Sequence, residues 1–246
     1  MHPNTVRNRL RAAGLKVRRP HKAARLTRQH KLRRLQWARR HIRFTRRQWG
    51  SVLFTDECRI QLSSADRRKR VWRRRNERFA DACVMEYDRW GGGSVHFWGG
   101  ISLLNKTRLV LFDRNVNANT YINDVLRPVV LPFFRQHFVR GGGILQHDGA
   151  RPHTAQITRN FLAQHAINVL DWPALSPDMS PIEHVWDELK RRVYTRPHPP
   201  QTLRDLRLAV VQEWNNIPQQ LIDHMILSMR RRIQALLNAR GGHTRY

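Results

Sequence analysis

The first acidic residue of this chain is Asp56, and it closes an apolar run, Ser51-Val52-Leu53-Phe54-Thr55-Asp56. Asp148 closes another, Ile144-Leu145-Gln146-His147-Asp148. Glu183 opens a helix-like stretch, Ser180-Pro181-Ile182-Glu183-His184-Val185-Trp186. A charge is costly inside a core unless it is paired, so acids in these positions belong at the rim of a sheet or the start of a helix. They are also scarce: 18 Asp and Glu stand against 46 Lys and Arg, a net charge of +28. A balance that basic calls for a polyanionic partner, most simply DNA or RNA. A membrane surface fits less well, because no apolar run reaches transmembrane length and no signal-peptide core is present. Acids kept at the ends of buried elements in such a chain point to a metal site that acts on a phosphate backbone.

The charge is unevenly placed. Residues 1–49 hold 17 Lys and Arg and no Asp or Glu. A composition break near Gly50 divides a basic helical arm, residues 1–49, from an α/β body, residues 50–200, and a helical extension, residues 201–246. In the arm, Leu32, Leu35, Ala38 and Ile42 recur at helical spacing. Thr45-Arg46-Arg47-Gln48 fits a capping box, and residues 5–11 read as a short helix ended by Gly14. The simple alternative is a solvated basic tail. The helical patterning favours a nucleic-acid arm, with Arg7, Arg9, Arg11, Arg18, Arg19, Lys22, Arg33 and Arg34 as phosphate contacts. The same composition suits a nuclear localisation signal, which makes the nucleus the expected compartment. Cys58 and Cys83 have neither disulfide-framework nor Cys-x-x-Cys spacing, as in a reduced, intracellular protein.

In the body, residues 51–63, 69–73, 95–101 and 108–112 read as strands. Residues 120–138 read as a helix that Pro128 and Pro132 should kink or split. A strand at 143–147, a helix at 154–164, a strand at 167–170 and a proline-rich loop at 173–181 follow. A helix starts at Pro181, and from Thr202 the chain is mostly helical, interrupted near Pro218. Strands first, then strands alternating with helices, give a mixed α/β layer fold. Neither glycine triplet, at 91–93 or 141–143, is followed by Gly-Lys-Ser or Gly-Lys-Thr, so no P-loop and no nucleotide cofactor are expected.

Each acid has a plain structural reading. Asp56 and Asp148 can cap turns. Ser180-x-x-Glu183 with Pro181 at the first helical position is a good capping box, a role worth about 1 kcal/mol. Glu57, next to Asp56, must face the other side of a continuing strand. The combination says more. Two aspartates at strand ends and a glutamate at a helix start can meet at one edge of a sheet. Two carboxylates about 4 Å apart repel by roughly 4 kcal/mol at an effective dielectric of 20. Mg²⁺ removes that conflict through oxygen ligands. Two such ions about 3.5–4 Å apart serve both the attacking and the leaving oxygen of a phosphoryl transfer.

Five stretches resemble the DDE transposases of the mariner superfamily: Phe54-Thr55-Asp56-Glu57; Val71-Trp72-Arg73-Arg74; His96-Phe97-Trp98-Gly99-Gly100-Ile101; Gln146-His147-Asp148-Gly149-Ala150-Arg151-Pro152-His153; and Trp172-Pro173-Ala174-Leu175-Ser176-Pro177-Asp178-Met179-Ser180-Pro181-Ile182-Glu183-His184-Val185-Trp186. Thirty-four residues lie between Asp148 and Glu183, as in one major branch of that family. The resemblance implies a ribonuclease-H-like mixed sheet flanked by helices. It implies Asp56, Asp148 and Glu183 as a catalytic, metal-binding triad that takes two Mg²⁺, with Mn²⁺ as substitute. It also implies cut-and-paste transposition of double-stranded DNA into a TA target, by a homodimer. Gly149, Ser180 and His184 stand where members often have Asn, but no carboxylate is lost. Members carry two helix-turn-helix units ahead of the catalytic part. This chain opens at what resembles the last helix of the second unit, as expected of an N-terminally shortened copy. The alternatives are a catalytically inactive, transposase-derived DNA-binding protein and a ribonuclease or junction nuclease on the same scaffold.

Other signals have local readings. His147 and His153 flank Asp148, as a hydrogen-bonding shell around the carboxylate or simple packing rather than a zinc site. Trp72, Trp98, Trp172 and Trp186 could stack on bases, but Trp98 and Trp186 lie in apolar periodic contexts that favour the core. Ile182, Val185, Trp186, Leu189 and Val193 form one helical stripe that leaves Glu183 beside it. Arg67 to Arg70 and Arg230 to Arg232 read as phosphate contacts or solvated surface.

Overall fold

The structure is a computed structural model that describes residues 2–14, 24–62, 93–138 and 142–246. The strand expected at 69–73, the Trp72 motif, the Arg67–Arg70 cluster and Cys83 lie outside the described residues. So do Arg18, Arg19 and Lys22.

Among the described residues five strands form one sheet: β1 (Val52–Gln61), β2 (Ser94–Ile101), β3 (Val110–Phe112), β4 (Ile144–Gln146) and β5 (Asn168–Val169), in the order β3-β2-β1-β4-β5. β1 to β3 form an antiparallel meander, while β4 and β5 add parallel to β1. This is the mixed sheet the pattern of elements predicts. Its long central strand begins beside the short parallel strand that leads to Asp148.

Alternation along β1 sends its side chains into two cores. Phe54, Cys58 and Ile60 face one, with Trp186, Leu189 and Trp214. Leu53 faces the other, with Tyr121, Val125 and Leu145. The first core is covered by α8 (Pro181–Tyr194), α9 (Leu203–Asn216), α10 (Gln219–Leu227) and α11 (Met229–Asn238). The predicted stripe on α8 is fully inside: Ile182, Val185, Leu189 and Val193 are 0% exposed and Trp186 is 1%.

The arm contributes α1 (Pro3–Ala12), α2 (Arg28–His41) and α3 (Arg46–Gly50). α1 buries none of its residues, and Gly14 follows it at φ +76°, the left-handed position that stops a helix. α2 is different: Trp37 and Ala38 are buried in the same core as α8. α3 carries the capping box read from Thr45 and Gln48.

The run Ala118–His137 is helical throughout, but it is divided into segments of different winding rather than forming one α-helix. α4 (Ala118–Thr120), a π-helical stretch Tyr121–Val130 and α5 (Leu131–His137) follow without a break. Pro128 sits inside the π-helical part and Pro132 in the first turn of α5. A π turn takes its hydrogen bond from five residues back rather than four. That moves the strand of carbonyls a proline ring would strike, so the helix passes Pro128 intact. α6 (Arg151–Thr154) and α7 (Gln156–Gln164) complete the second core.

Candidate active site

Asp56 lies on β1 where the strand passes β4. Thr55 Oγ1 donates to the Gln146 carbonyl at 2.7 Å, tying β1 to the end of β4. Asp56 Oδ2 accepts from Trp186 Nε1 at 3.2 Å, so the helix stripe that fills the core also aims the carboxylate. Two residues beyond β4, Asp148 Oδ1 accepts from the Ala150 amide at 2.9 Å and from His153 Nδ1 at 2.7 Å. Glu183 stands in the first turn of α8. Its carboxylate makes no hydrogen bond to the protein among the described residues.

These three carboxylates line one cleft of about 450 Å³, walled on one side by Trp172, Pro173 and Ala174. Their electrostatics differ. Burial, then the charges of Glu183 and Glu57, push the Asp56 carboxyl up to about 8. Burial also raises Glu183, against the nearby charge of Lys190. Asp148 goes the other way, its carboxylate stabilised by the His153 hydrogen bond. Among the described residues no three His, Cys, Asp or Glu side chains stand grouped closely enough to hold an ion. The carboxylates thus face a common space without closing on it.

The donor set fits a hard divalent cation. All three donors are carboxylates, and Asp148 Oδ2 and both Glu183 oxygens are uncommitted among the described residues. An acid kept protonated by burial, and further by neighbouring acids, is relieved by a cation.

Ser180 decides how Glu183 is used. It occupies the N-cap of α8, yet its side chain makes no capping hydrogen bond. Its buried hydroxyl has no partner among the described residues. The capping box is absent, so the structural role read for Glu183 falls away. Ser180→Ala should therefore leave stability unchanged or slightly raised in equilibrium urea unfolding. A working cap would lose about 1 kcal/mol.

The two histidines separate. His153 is 3% exposed and bridges two carboxylates, Asp148 through Nδ1 and Glu57 through Nε2 at 3.2 Å. Burial opposes its charge, but these bonds outweigh it and push His153 up to about 9. His147 does not reach Asp148. It stacks on His153 at 4.8 Å and meets the Tyr121 hydroxyl at 3.2 Å, and burial holds it down at about 3. Glu57 had only been sent to the far face of the strand. The signal that places it is the Asp56-Glu57 pair itself, since strand alternation gives each face one acid.

The arginines divide as well. Arg7, Arg9 and Arg11 are exposed on α1. Arg33 is exposed on α2 and, with Arg40, borders a second hollow that shares the wall Trp172, Pro173 and Ala174. Arg34 contradicts its expected role as a phosphate contact. Its side chain is 0% exposed and pairs with Asp178 at 2.7 Å. It also donates to Leu175, Ser176, Gly241 and Gly242. A single step along the helix separates a solvent-facing arginine from a core-facing one. Arg232, read with its neighbours as surface, is likewise 2% exposed and bonded to Ser228 and the Asp178 carbonyl.

Residues 51–207 match the family of DDE superfamily endonucleases, and residues 1–43 match a transposase family. The transposable element Tcb2 transposase of Caenorhabditis briggsae is 32% identical over 250 residues, covering 98% of this chain and 87% of that protein. The transposable element Tc1 transposase of Caenorhabditis elegans is 32% identical over 244 residues, with the same shares covered. The fold is that of the Mos1 mariner paired end complex with Mn, at a TM-score of 0.81 and 17% identity, over 98% of this chain and 71% of that one. An acid-lined cleft at the edge of this sheet, in a chain matching these proteins nearly end to end, places it in the DDE superfamily endonucleases, as a DNA transposase of the Tc1/mariner family.

Proposed function

We propose that Asp56, Asp148 and Glu183 hold two divalent ions, Mg²⁺ with Mn²⁺ as substitute, and that this cleft performs both DNA cleavage and strand transfer. The observation that carries the reading is the convergence of three acids on one cleft in a chain of net charge +28. Bound there, the ions supply Lewis-acid stabilisation of the attacking and leaving oxygens. The chain's own residues do the rest. Trp186 and His153 aim Asp56 and Asp148. Glu183 comes from a separate helix, in the first turn of α8. The Trp172–Ala174 wall borders the cleft on the side facing α2, where exposed Arg33 and Arg40 offer charge to a phosphate backbone.

In the first step water attacks the phosphodiester at an element end, and the 3′ oxygen leaves as a free hydroxyl. In the second that hydroxyl attacks a target phosphodiester, a TA step, and a new 3′ oxygen leaves. Two element ends call for two copies of the chain, a homodimer, and the basic arm directs it to the nucleus.

The test uses a duplex carrying the element's own end, with an RNA–DNA hybrid beside it, in Mg²⁺ or Mn²⁺. The duplex is nicked and the hybrid is not. Preferential cutting of the hybrid identifies a ribonuclease. Binding without nicking identifies a DNA-binding remnant.

A further inference from the structure

β1 carries two carboxylates in succession, and alternation sends them to opposite faces. Asp56 meets Trp186 on one face. Glu57 emerges on the other, where its Oε1 accepts from His153 Nε2 at 3.2 Å. The second ring nitrogen, Nδ1, donates to Asp148 Oδ1 at 2.7 Å. A single imidazole thus connects an acid on the central strand to one of the three cleft acids.

The two ends of this bridge are unequal. Glu57 is anchored in the sheet, in register with Trp98 of β2, and its side chain is 21% exposed. Asp148 sits past the end of β4 with its side chain 56% exposed. Packing does little to fix a carboxylate that open. What fixes it is a pair of hydrogen bonds that both end on Oδ1, one from the Ala150 amide and one from His153. Oδ2 makes none among the described residues. One oxygen is tethered twice and the other is left to the cleft.

The aim of that free oxygen depends on the His153 ring. Its plane is set by stacking on His147, 4.8 Å away at 12°, and by the Tyr121 ring at 4.4 Å. Stacking allows a ring to slide and turn within its own plane. A hydrogen bond at the far nitrogen stops that motion, and Glu57 provides it.

We infer that Glu57 is a positioning residue for the reaction: acting through His153, it fixes the direction in which Asp148 presents its free oxygen to a bound ion. The inference rests on the proposed metal site. It gives the acid after Asp56 a task distinct from the three cleft acids. Groups that orient a ligand from behind in this way typically change metal affinity by about 10- to 100-fold when removed.

The test is Mn²⁺ binding to the full chain without DNA, read from the EPR signal of the free ion, with nicking measured alongside. Glu57→Ala binds Mn²⁺ about 10-fold more weakly than wild type, at an unchanged unfolding midpoint. Nicking by Glu57→Ala returns at saturating Mn²⁺. Glu57→Gln keeps an acceptor oxygen at the same reach and restores affinity. The double variant Glu57→Ala with His153→Ala binds no more weakly than His153→Ala alone, because the two act in series. Asp148→Ala is the reference. If it weakens binding and Glu57→Ala does not, this inference is overturned while the metal site stands. If it leaves binding intact, the metal site and the inference fall together. Additive losses in the double variant, a Glu57→Gln as weak as Glu57→Ala, or a nicking defect that no Mn²⁺ concentration repairs would each overturn the inference.

Discussion

Arg34→Ala lowers the stability of the chain by about 3–5 kcal/mol, the loss typical of breaking a buried ion pair from one side. The site explains the size. The Arg34 guanidinium is 0% exposed and Asp178 is 9%. Two parallel bonds join them, Nη1 to Oδ1 at 2.8 Å and Nη2 to Oδ2 at 2.7 Å. The same guanidinium binds the Leu175 carbonyl in the loop before Asp178 and the Gly241 and Gly242 carbonyls near the end of the chain. Three segments distant in sequence therefore close on one side chain. Gly241 shows how tightly: at φ +80° a Cβ there would stand 2.0 Å from the Lys31 carbonyl oxygen.

Truncating the arginine strands Asp178 as an uncompensated buried charge. In a thermal melt the loss corresponds to a midpoint lower by roughly 6–20 °C for a domain of this size. Arg33→Ala, one residue away and exposed, leaves the midpoint near wild type and weakens DNA binding instead. A fall in Arg34→Ala no larger than in Arg33→Ala would contradict the assignment. Acid probes the same pair. Burial opposes the Asp178 charge, but the Arg34 and Thr244 bonds outweigh it and hold its carboxyl below the ordinary 3.8. A depressed carboxyl stabilises the fold above its unfolded value, and the contribution is lost as pH falls through the folded one. In Arg34→Ala the part of the acid sensitivity that lies below about pH 4 shrinks.

Asp148→Asn abolishes nicking, by on the order of 10³-fold or more, while DNA affinity stays near wild type. Loss of Lewis-acid stabilisation worth about 4 kcal/mol converts to about three powers of ten, at about 1.4 kcal/mol each. Asparagine keeps the shape of the side chain and an oxygen to accept from the Ala150 amide. It lacks the charge that a hard cation requires. Asp56→Asn behaves alike. It would also remove a carboxyl that burial, then the charges of Glu183 and Glu57, push up to about 8, so the variant is expected to be at least as stable as wild type while inactive. Gain of stability with loss of activity is the pattern of an acid retained for function. Nicking within a few-fold of wild type would remove these carboxylates from the mechanism.

Much of the fold was legible because periodicity records burial. The apolar runs at β1, β2 and β4 and the stripe on α8 lie in the structure within a residue or two of where alternation and helical spacing put them. So do the break at Pro218 and the cap at Thr45. The gathering of Asp56, Asp148 and Glu183 at one cleft was legible in part: Asp148 lies just past β4 and Glu183 in the first turn of α8, but Asp56, expected at a strand end, is the fifth of the ten residues of β1.

What was not legible depended on tertiary partners. Nothing in the run Arg33-Arg34 says which guanidinium turns inward. That is settled by Asp178 and by carbonyls more than two hundred residues away. The capping motif at Ser180 has the right letters, but its hydroxyl stays unbonded and Glu183 belongs to the cleft. Pro128 was expected to disturb its helix, and the wider π turn absorbs it. Glu57 needed His153, ninety-six residues later in the chain, to show which acid it serves.

The account stands on three carboxylates sharing bound ions, and diffraction tests that most directly. Crystals of the full chain grown with Mn²⁺ are measured at the manganese absorption edge. The predicted anomalous map has two peaks about 3.5–4 Å apart, each within about 2.0–2.6 Å of oxygens drawn from Asp56, Asp148 and Glu183. A map with no peak in this cleft, or with manganese bound by other residues and these three acids left apart, would contradict it.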